Sequence, residues 1–401
     1  MRYHDMPLSG WGNLERAVCR VYRPEKMHQP AALLREPAVT SLISRGLGRS
    51  YGDAAVNEAA VLLHTRLNRM IDFDPATGVL TCEAGLSLAE IIDVFLPRGY
   101  FPFVTPGTRF VTVGGAIAAD VHGKNHHRDG CFSECVLSFD LLTASGQTLT
   151  CSREANSDVF RATVGGMGLT GIITEARIRL TPVPSAYINV TYERAANLDD
   201  ALARFDADDD RYHYSVAWID CLASGGALGR SVLIRGDHAA VDDLPHGRQK
   251  APFRPGHQRR RSVPRLFPSL ALNRLSIRAF NALYYRRHGD GRCIVDYRRF
   301  FHPLDAIDHW NRMYGRRGFV QYQALFPRET SRDGLVQLLE RLAKSKRASF
   351  LAVLKSTGEQ NDGLLSFPKR GHTLALDLPN RAGLRELLDE LDEIVVNLGG
   401  R

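Results

Sequence analysis

The sequence contains no run of about 18 consecutive apolar residues, the length a membrane-spanning helix requires, so no such helix is expected. Its opening segment, Met1–Gly12, has no apolar stretch that could serve as a secretory signal. A cytoplasmic protein is the simplest expectation. Cysteines are few and unpaired in pattern. There are 7, an odd number, and only Cys131 and Cys135 lie close together. No second pair completes a zinc site, so no metal is expected and the thiols read as reduced and mostly buried. No repeat of 20–50 residues is visible. Zinc-finger and RNA-binding signatures are also missing, so nothing marks the chain as a nucleic-acid binder.

What is present is a globular composition, 44% hydrophobic and 24% charged, in 401 residues, a length that suits two or three domains. The net charge is +8, and much of it falls between Arg248 and Arg287, with Arg254, Arg259, Arg260, Arg261 and Arg265 inside. The same stretch holds Phe253, Leu266, Phe267, Leu270, Leu272, Leu275, Ile277, Phe280, Leu283, Tyr284 and Tyr285. Basic and apolar residues mixed in this way suit a solvated loop or a membrane-facing one.

The first 180 or so residues alternate short strands, short helices and glycines. Ser41–Ser44 and Val61–Thr65 read as strands. Ile71–Phe73 and Val79–Glu83 read as a hairpin around Asp74-Pro75-Ala76-Thr77-Gly78. Ser87 and Glu90 have capping-box spacing for a helix to Leu96. Leu137–Thr143, Gln147–Cys151 and Leu169–Leu180 are further strands, and Pro182 and Pro184 mark a boundary. Beyond it, strands are expected at Ile188–Tyr192, Ser215–Asp220, Ser231–Arg235, Phe319–Phe326, Ser349–Lys355 and Thr373–Leu378. Helices are expected at Leu304–Tyr314 and Asp333–Ala343, with an amphipathic helix over Arg381–Asn397. This order suggests an antiparallel sheet backed by helices.

Three glycine-rich segments stand out. Arg45-Gly46-Leu47-Gly48-Arg49-Ser50-Tyr51-Gly52 follows a strand. Glycines let several backbone N–H groups turn toward one anion, and the arginines add charge. Its spacing is not G-x-G-x-x-G, and alone it fits a structural turn as well as a pyrophosphate site. The second runs from Thr105 to His127. Its middle is built of small residues, which let backbone approach a flat ring, and its end gathers His122, Lys124, His126 and His127. The third runs from Thr163 to Ile173 around Gly165-Gly166-Met167-Gly168.

Together, R-G-x-G-R-S-Y-G-D, P-G-T-x-x-V-T-V-G-G-A-I-A-x-D-x-H-G-K-N-H-H and A-T-V-G-G-x-G-L-T-G-I-I resemble the flavin domain of the decaprenylphosphoryl-ribose 2′-oxidase family, within the vanillyl-alcohol-oxidase superfamily. The similarity continues through Ala217-Trp218-Ile219-Asp220, Phe301-His302-Pro303-Leu304-Asp305, Trp310-Asn311-Arg312, Gln321-Tyr322-Gln323 and Ser366-Phe367-Pro368. It implies an α+β fold: a PCMH-type FAD-binding domain of two subdomains over 1–182, and an antiparallel-sheet substrate domain over 183–380 with helices on one face. In this division 248–287 is a basic loop and 381–401 a C-terminal helix.

The resemblance implies non-covalent FAD. Arg45, Gly46, Leu47, Gly48, Arg49, Ser50, Tyr51, Gly52 and Asp53 would hold its pyrophosphate. Gly107, Thr112, Val113, Gly114, Gly115, Ala119 and His122 would line the flavin, and Ile173 would back the adenine side. Tyr51, His122, Lys124, Trp218, Gln321, Gln323 and Lys355 would surround the substrate. His122 is the first choice of base, because imidazole accepts a proton near neutral pH. Lys355 is the second choice if burial lowers its pKa, and Tyr51 completes the catalytic group. Gln321 and Gln323 alternate along one strand and so face one side.

The implied reaction is oxidation of C2 of a polyprenyl-phosphate pentose, ribose to a 2-keto product, as the oxidative half of an epimerisation toward arabinose. A short-chain NAD(P)H-dependent reductase would be the partner, with peripheral contact at the membrane. The sequence departs from the family in three places. Ala375 stands where the family has a cysteine, and Phe301 where it has a tyrosine. A further strand with a lysine at the flavin and a closing helix, expected beyond Gly399-Gly400, are not in this sequence, which stops at Arg401. Two other readings fit the same residues. A soluble sugar or alditol oxidase would act without a lipid, and a non-catalytic flavin-fold subunit would be colourless.

Overall fold

Local chemistry fixes several elements of the computed structural model, which describes residues 1–264, 273–345 and 351–401. Asp74 caps its own turn, its carboxylate accepting from the Ala76 N–H at 2.9 Å and the Thr77 hydroxyl at 2.6 Å. The strands Met70–Asp74 and Val79–Glu83 pair across that turn as a hairpin. Ser87 and Glu90 form a reciprocal capping box on the Leu88–Phe95 helix.

Two sheets make up the first half. One has four strands in the order Tyr3–Leu8, Ala17–Tyr22, Val61–Leu63 and Ile43–Arg45. The other runs Met70–Asp74, Val79–Glu83, Ile172–Pro182, Val136–Leu142, Thr148–Ser152, with Tyr100–Pro102 paired to the end of the long central strand. Its core gathers Leu80, Val104, Val113, Phe132, Phe139, Phe160 and Ile178, all buried.

The second half is built on a seven-stranded antiparallel sheet. The order is Gly291–Asp296, Tyr187–Ala195, Ser231–His238, Tyr214–Ile219, Ala352–Thr357, Gly371–Pro379 and Phe319–Pro327. Side chains alternate between its faces. Ala217, Leu233, Ala324, Leu354, Leu374 and Leu376 point to one face and pack under the helices Leu198–Asp208, Ser331–Ser345 and Leu384–Asn397. The opposite face meets the FAD-binding half. There Ile188, Val190 and Tyr214 join Ile92, Leu96 and Phe101 in one buried cluster. The mixed α+β architecture agrees with the sequence expectation.

Three expectations need correction. Leu304–Tyr314 is not one helix. It is a 3-10 turn at Pro303–Ala306, a two-residue strand at Ile307–Asp308 and a second 3-10 turn at Trp310–Tyr314. His309 takes a left-handed φ of 57°, which no continuous helix admits. The basic stretch 248–287 is not simply a loop. It ends in a 14-residue helix, Arg274–Arg287, opened by a capping box of Asn273 and Ser276. Arg265, Leu266, Phe267, Leu270 and Leu272 lie outside the described residues, as do Ser349 and Phe350 of the strand expected from Ser349. The last helix begins at Leu384, three residues later than expected, because Gly383 is left-handed. Two strands, Tyr3–Leu8 and Ala17–Tyr22, and a helix, Gln29–Leu34, were not foreseen. Among the described residues, no helix is long and apolar enough to cross a membrane.

Candidate active site

The glycine loop lies between the strands Ile43–Arg45 and Val61–Leu63. Among the described residues, the N–H groups from Gly46 to Asp53 pair with no backbone carbonyl. Arg45 is tied down by the carbonyls of Ala55 and Ser9, at 2.9 and 2.8 Å. Burial lowers its pKa and that of Arg49. Gly48 has a φ of +65°, and a Cβ on Gly46 would meet the Thr112 hydroxyl at 2.3 Å. That approach brings the first glycine segment against the second.

In the second segment Thr112 caps the short helix Val113–Ala118, accepting from the Gly115 N–H at 3.2 Å. Val113 is wholly buried in the core, and Gly114 packs on Ala84. Gly115, Ala119 and Gly107 are exposed, and a Cβ on Gly107 would meet open space. Ile173 is buried in the same core.

The segment then delivers His122 to the face of the large sheet turned toward the FAD-binding half. Lys355 on the strand Ala352–Thr357 comes within 2.6 Å of His122 Nδ1 and donates to the Gly123 carbonyl at 2.8 Å. Gln323 Nε2 lies 3.4 Å from His122 Nε2 and donates to Thr373 Oγ1 at 3.1 Å. Phe367 stacks on the His122 ring at 6.3 Å, and His126 meets it edge-on at 5.9 Å. Burial, reinforced by Lys355, holds His122 well below the usual histidine range. Burial brings Lys355 down to about 7 and Lys124 to about 8. The Lys124 ammonium sits 4.8 Å from the centre of the Phe300 ring.

The register fixes the rest. Gln321 is directly opposite Asp377, Gln323 opposite Ala375, Val353 opposite Ala375, and Trp218 opposite Val353. Gln321, Gln323, Ala375, Asp377, Lys355 and Trp218 therefore share the face turned toward the FAD-binding half. Ala375 is partly exposed in an otherwise buried strand. Trp218 is covered by Tyr284 of the Arg274–Arg287 helix, with ring centres 4.5 Å apart. Tyr51 meets Phe319 edge-on at 5.6 Å, and burial raises its pKa.

Sequence reasoning missed Asp377, Tyr314, Thr373 and Phe367. Tyr314 donates to Asp377 at 3.3 Å, and burial pushes Asp377 up to about 8. The available signal was that Thr373 and Asp377, an even number of positions apart in a largely apolar strand, fall on one face of it. Among the described residues, no group of three His, Cys, Asp or Glu could hold a metal. Six cysteines are buried and Cys293 is exposed.

Comparison with known proteins gives this site its class. Residues 20–152 match the FAD binding domain family. The chain is an FAD-dependent oxidoreductase acting on CH–OH groups. It is 39% identical to decaprenylphosphoryl-beta-D-ribose oxidase of Mycolicibacterium smegmatis, over 98% of this chain and 87% of that protein. The chain belongs to the decaprenylphosphoryl-β-D-ribose oxidase family. It is also 38% identical to an uncharacterized protein in the mprA 5′ region of Streptomyces coelicolor, over 79% of this chain and 87% of that one. Cytokinin dehydrogenase 1 of Oryza sativa subsp. japonica is 32% identical over 42% of this chain and 31% of its own length.

The residues present fit FAD. The row of unpaired N–H groups in the glycine loop, with Arg45 beside it, suits a pyrophosphate. Exposed Gly107, Gly115 and Ala119 let backbone approach a flat ring. Met167 and Leu169, 46% and 81% exposed, offer apolar surface on the same half.

Proposed function

We propose that this protein oxidises the C2 hydroxyl of a polyprenyl-phosphate ribose to a ketone. A network supports this reading: His122, from the FAD-binding half, is joined to Lys355 and Gln323 of the large sheet within 3.4 Å. The 39% identical relative is, by name, an oxidase of decaprenylphosphoryl ribose.

FAD, when bound, supplies the two-electron acceptor. The backbone N–H groups of the glycine loop from Arg45 to Asp53 would hold its pyrophosphate, and Gly107, Gly115, Ala119 and the backbone of Thr112–Gly114 would face its ring, with Ile173 behind. No histidine or cysteine lies in Arg45–Asp53, so attachment is non-covalent.

The chain's own residues move the hydroxyl proton. With Lys355 near 7, much of it is a neutral amine at physiological pH. The Nδ1–H of His122 then donates to that amine, leaving Nε2 bare and facing the Gln323 amide donor. The substrate hydroxyl gives its proton to Nε2 while the Nδ1 proton passes to Lys355, which becomes ammonium. The two candidate bases therefore act as one relay. Gln321, Gln323 and Lys124 grip sugar oxygens, Trp218 walls the sheet face, and Tyr51 closes the site beside Phe319.

The 2-keto product is then reduced by a separate short-chain NAD(P)H-dependent partner, completing an epimerisation to arabinose. The Arg274–Arg287 helix brings the enzyme to the lipid, because Leu275, Phe280 and Leu283 are exposed among arginines.

Anaerobic mixing with farnesylphosphoryl ribose tests the reading. Loss of visible flavin absorbance together with a ketone mass 2 Da lower, the arithmetic of removing two hydrogens (about 1 Da each), is the expected outcome. Bleaching by free ribose or an alditol at the same rate, or no bleaching by farnesylphosphoryl ribose, would overturn it.

A further inference from the structure

Three guanidinium groups converge on one aromatic ring at the edge of this site. Those of Arg109 and Arg260 lie 5.3 Å from the centre of Phe110, and that of Arg49 5.8 Å. They come from three distant parts of the chain, so only folding assembles them. Each is held in place. Arg49 lies 4.4 Å over Trp11, Arg109 donates to the Tyr297 hydroxyl at 2.9 Å, and Arg260 pairs with Asp308.

Their charge is incompletely balanced. Among the described residues, two carboxylates lie at the cluster: Asp308, and Asp305, which accepts the Arg109 backbone N–H at 3.1 Å. Crowding like charges is unfavourable unless an anion joins them. One donor is left over as well, for Nε of Arg109 is buried and, among the described residues, has no hydrogen-bond partner. Guanidinium forks match phosphate oxygens in pairs.

We propose that Arg49, Arg109 and Arg260 form a site for the phosphate of the prenyl-phosphate substrate. This deepens the proposed function and rests on its reading of the substrate. The cluster adjoins the sugar site. Tyr51, two residues after Arg49, packs on Phe319, two residues before Gln321. Exposed Leu275, Phe280 and Leu283 of the Arg274–Arg287 helix offer an apolar surface for a prenyl chain. Sugar and phosphate would thus occupy the glutamine strand and the arginine cluster.

Arg260→Gln and Arg109→Gln test this, with calorimetry of farnesyl phosphate binding, KM values and FAD content as readouts. Arg260 is half exposed, with 48% of its side chain accessible, so its loss should leave the fold intact even if Arg109→Gln perturbs it. Each variant should weaken farnesyl phosphate about tenfold, the scale of one charge-assisted hydrogen bond. KM for farnesylphosphoryl ribose should rise in step while KM for farnesyl riboside, which lacks the phosphate, does not follow. Unchanged farnesyl phosphate affinity in Arg260→Gln would overturn the site. So would FAD content falling in parallel with phosphate affinity, which would assign the arginines to the cofactor. Wild-type protein that binds farnesyl phosphate through these arginines but oxidises no prenyl-phosphate pentose would sink the substrate reading and leave the anion site standing.

Discussion

Lys355 Nζ lies 2.6 Å from His122 Nδ1, joining two residues 233 positions apart. Each therefore lies in the electrostatic field of the other. Burial lowers the lysine into the range where it titrates near neutrality, and the neighbouring cation helps keep the imidazole unprotonated.

The pairing sets the sign of the pH dependence. Below about 7 Lys355 is ammonium and cannot take the Nδ1 proton. The rate constant for FAD reduction should climb about tenfold per pH unit below that midpoint and level off above it, following the fraction of the competent base. Lys355→Met should flatten the rise. A wild-type profile flat across the midpoint would show that Lys355 is not the titrating group.

His122→Ala should slow FAD reduction by about 100-fold or more, the usual contribution of a positioned acid–base group. Thermal stability should change little, because His122 keeps some solvent exposure and lies outside the buried hydrophobic clusters. Stopped-flow absorbance measures the rate, and a wild-type rate in the variant would remove His122 from the relay.

Asp377 makes an opposite contribution, to stability. Burial raises its pKa from the usual 3.8 to about 8, so across that interval the folded protein holds a proton the unfolded chain has released. Its contribution is fully present below the lower value and is lost as pH rises through the upper one. Asp377→Asn keeps the shape without the titration. Between about pH 6 and 9 the wild-type Tm should fall relative to that of the variant. Parallel Tm curves would show that Asp377 titrates normally.

Acid precipitation should release all the yellow colour into the supernatant, since Arg49, Ser50 and Tyr51 offer no histidine for attachment. Flavin remaining with the pellet, seen as a flavin-bearing peptide by mass spectrometry, would mean a covalent bond elsewhere in the chain.

Membrane contact should depend on the Arg274–Arg287 helix. Co-sedimentation with anionic vesicles should be strong at low salt and weak with neutral lipid, at ~1 kcal/mol per arginine near the surface. Replacing Leu275, Phe280 and Leu283 together by serine should weaken binding at least about tenfold, since a buried leucine or phenylalanine contributes ~1.5–3 kcal/mol. Equal sedimentation of variant and wild type would leave the helix an ordinary surface element.

Elements governed by neighbours in the chain were legible in advance. The Ser87–Glu90 capping box, the Asp74–Gly78 turn and the period-2 spacing of Gln321 and Gln323 each depend on contacts within a few residues. The Arg274–Arg287 helix had an equally local signal in Asn273 and Ser276, overlooked because so many arginines suggested a solvated loop. Leu304–Tyr314 misled for the opposite reason. Its composition suits a helix, but tertiary packing holds His309 left-handed and Trp310 against Trp11 and Phe319.

The sequence by itself determined the glycine segments, and through them the class of cofactor, because backbone exposure and close approach follow directly from the absence of a Cβ. It also determined which residues could carry a proton or grip a sugar. Only the tertiary structure decided that His122 and Lys355 come within 2.6 Å of each other, that burial raises the pKa of Asp377, and that Arg49, Arg109 and Arg260 meet over Phe110. These are matters of burial and of distance between residues far apart in the chain. Both quantities take their values only when the sheet faces the FAD-binding half and water is excluded between them.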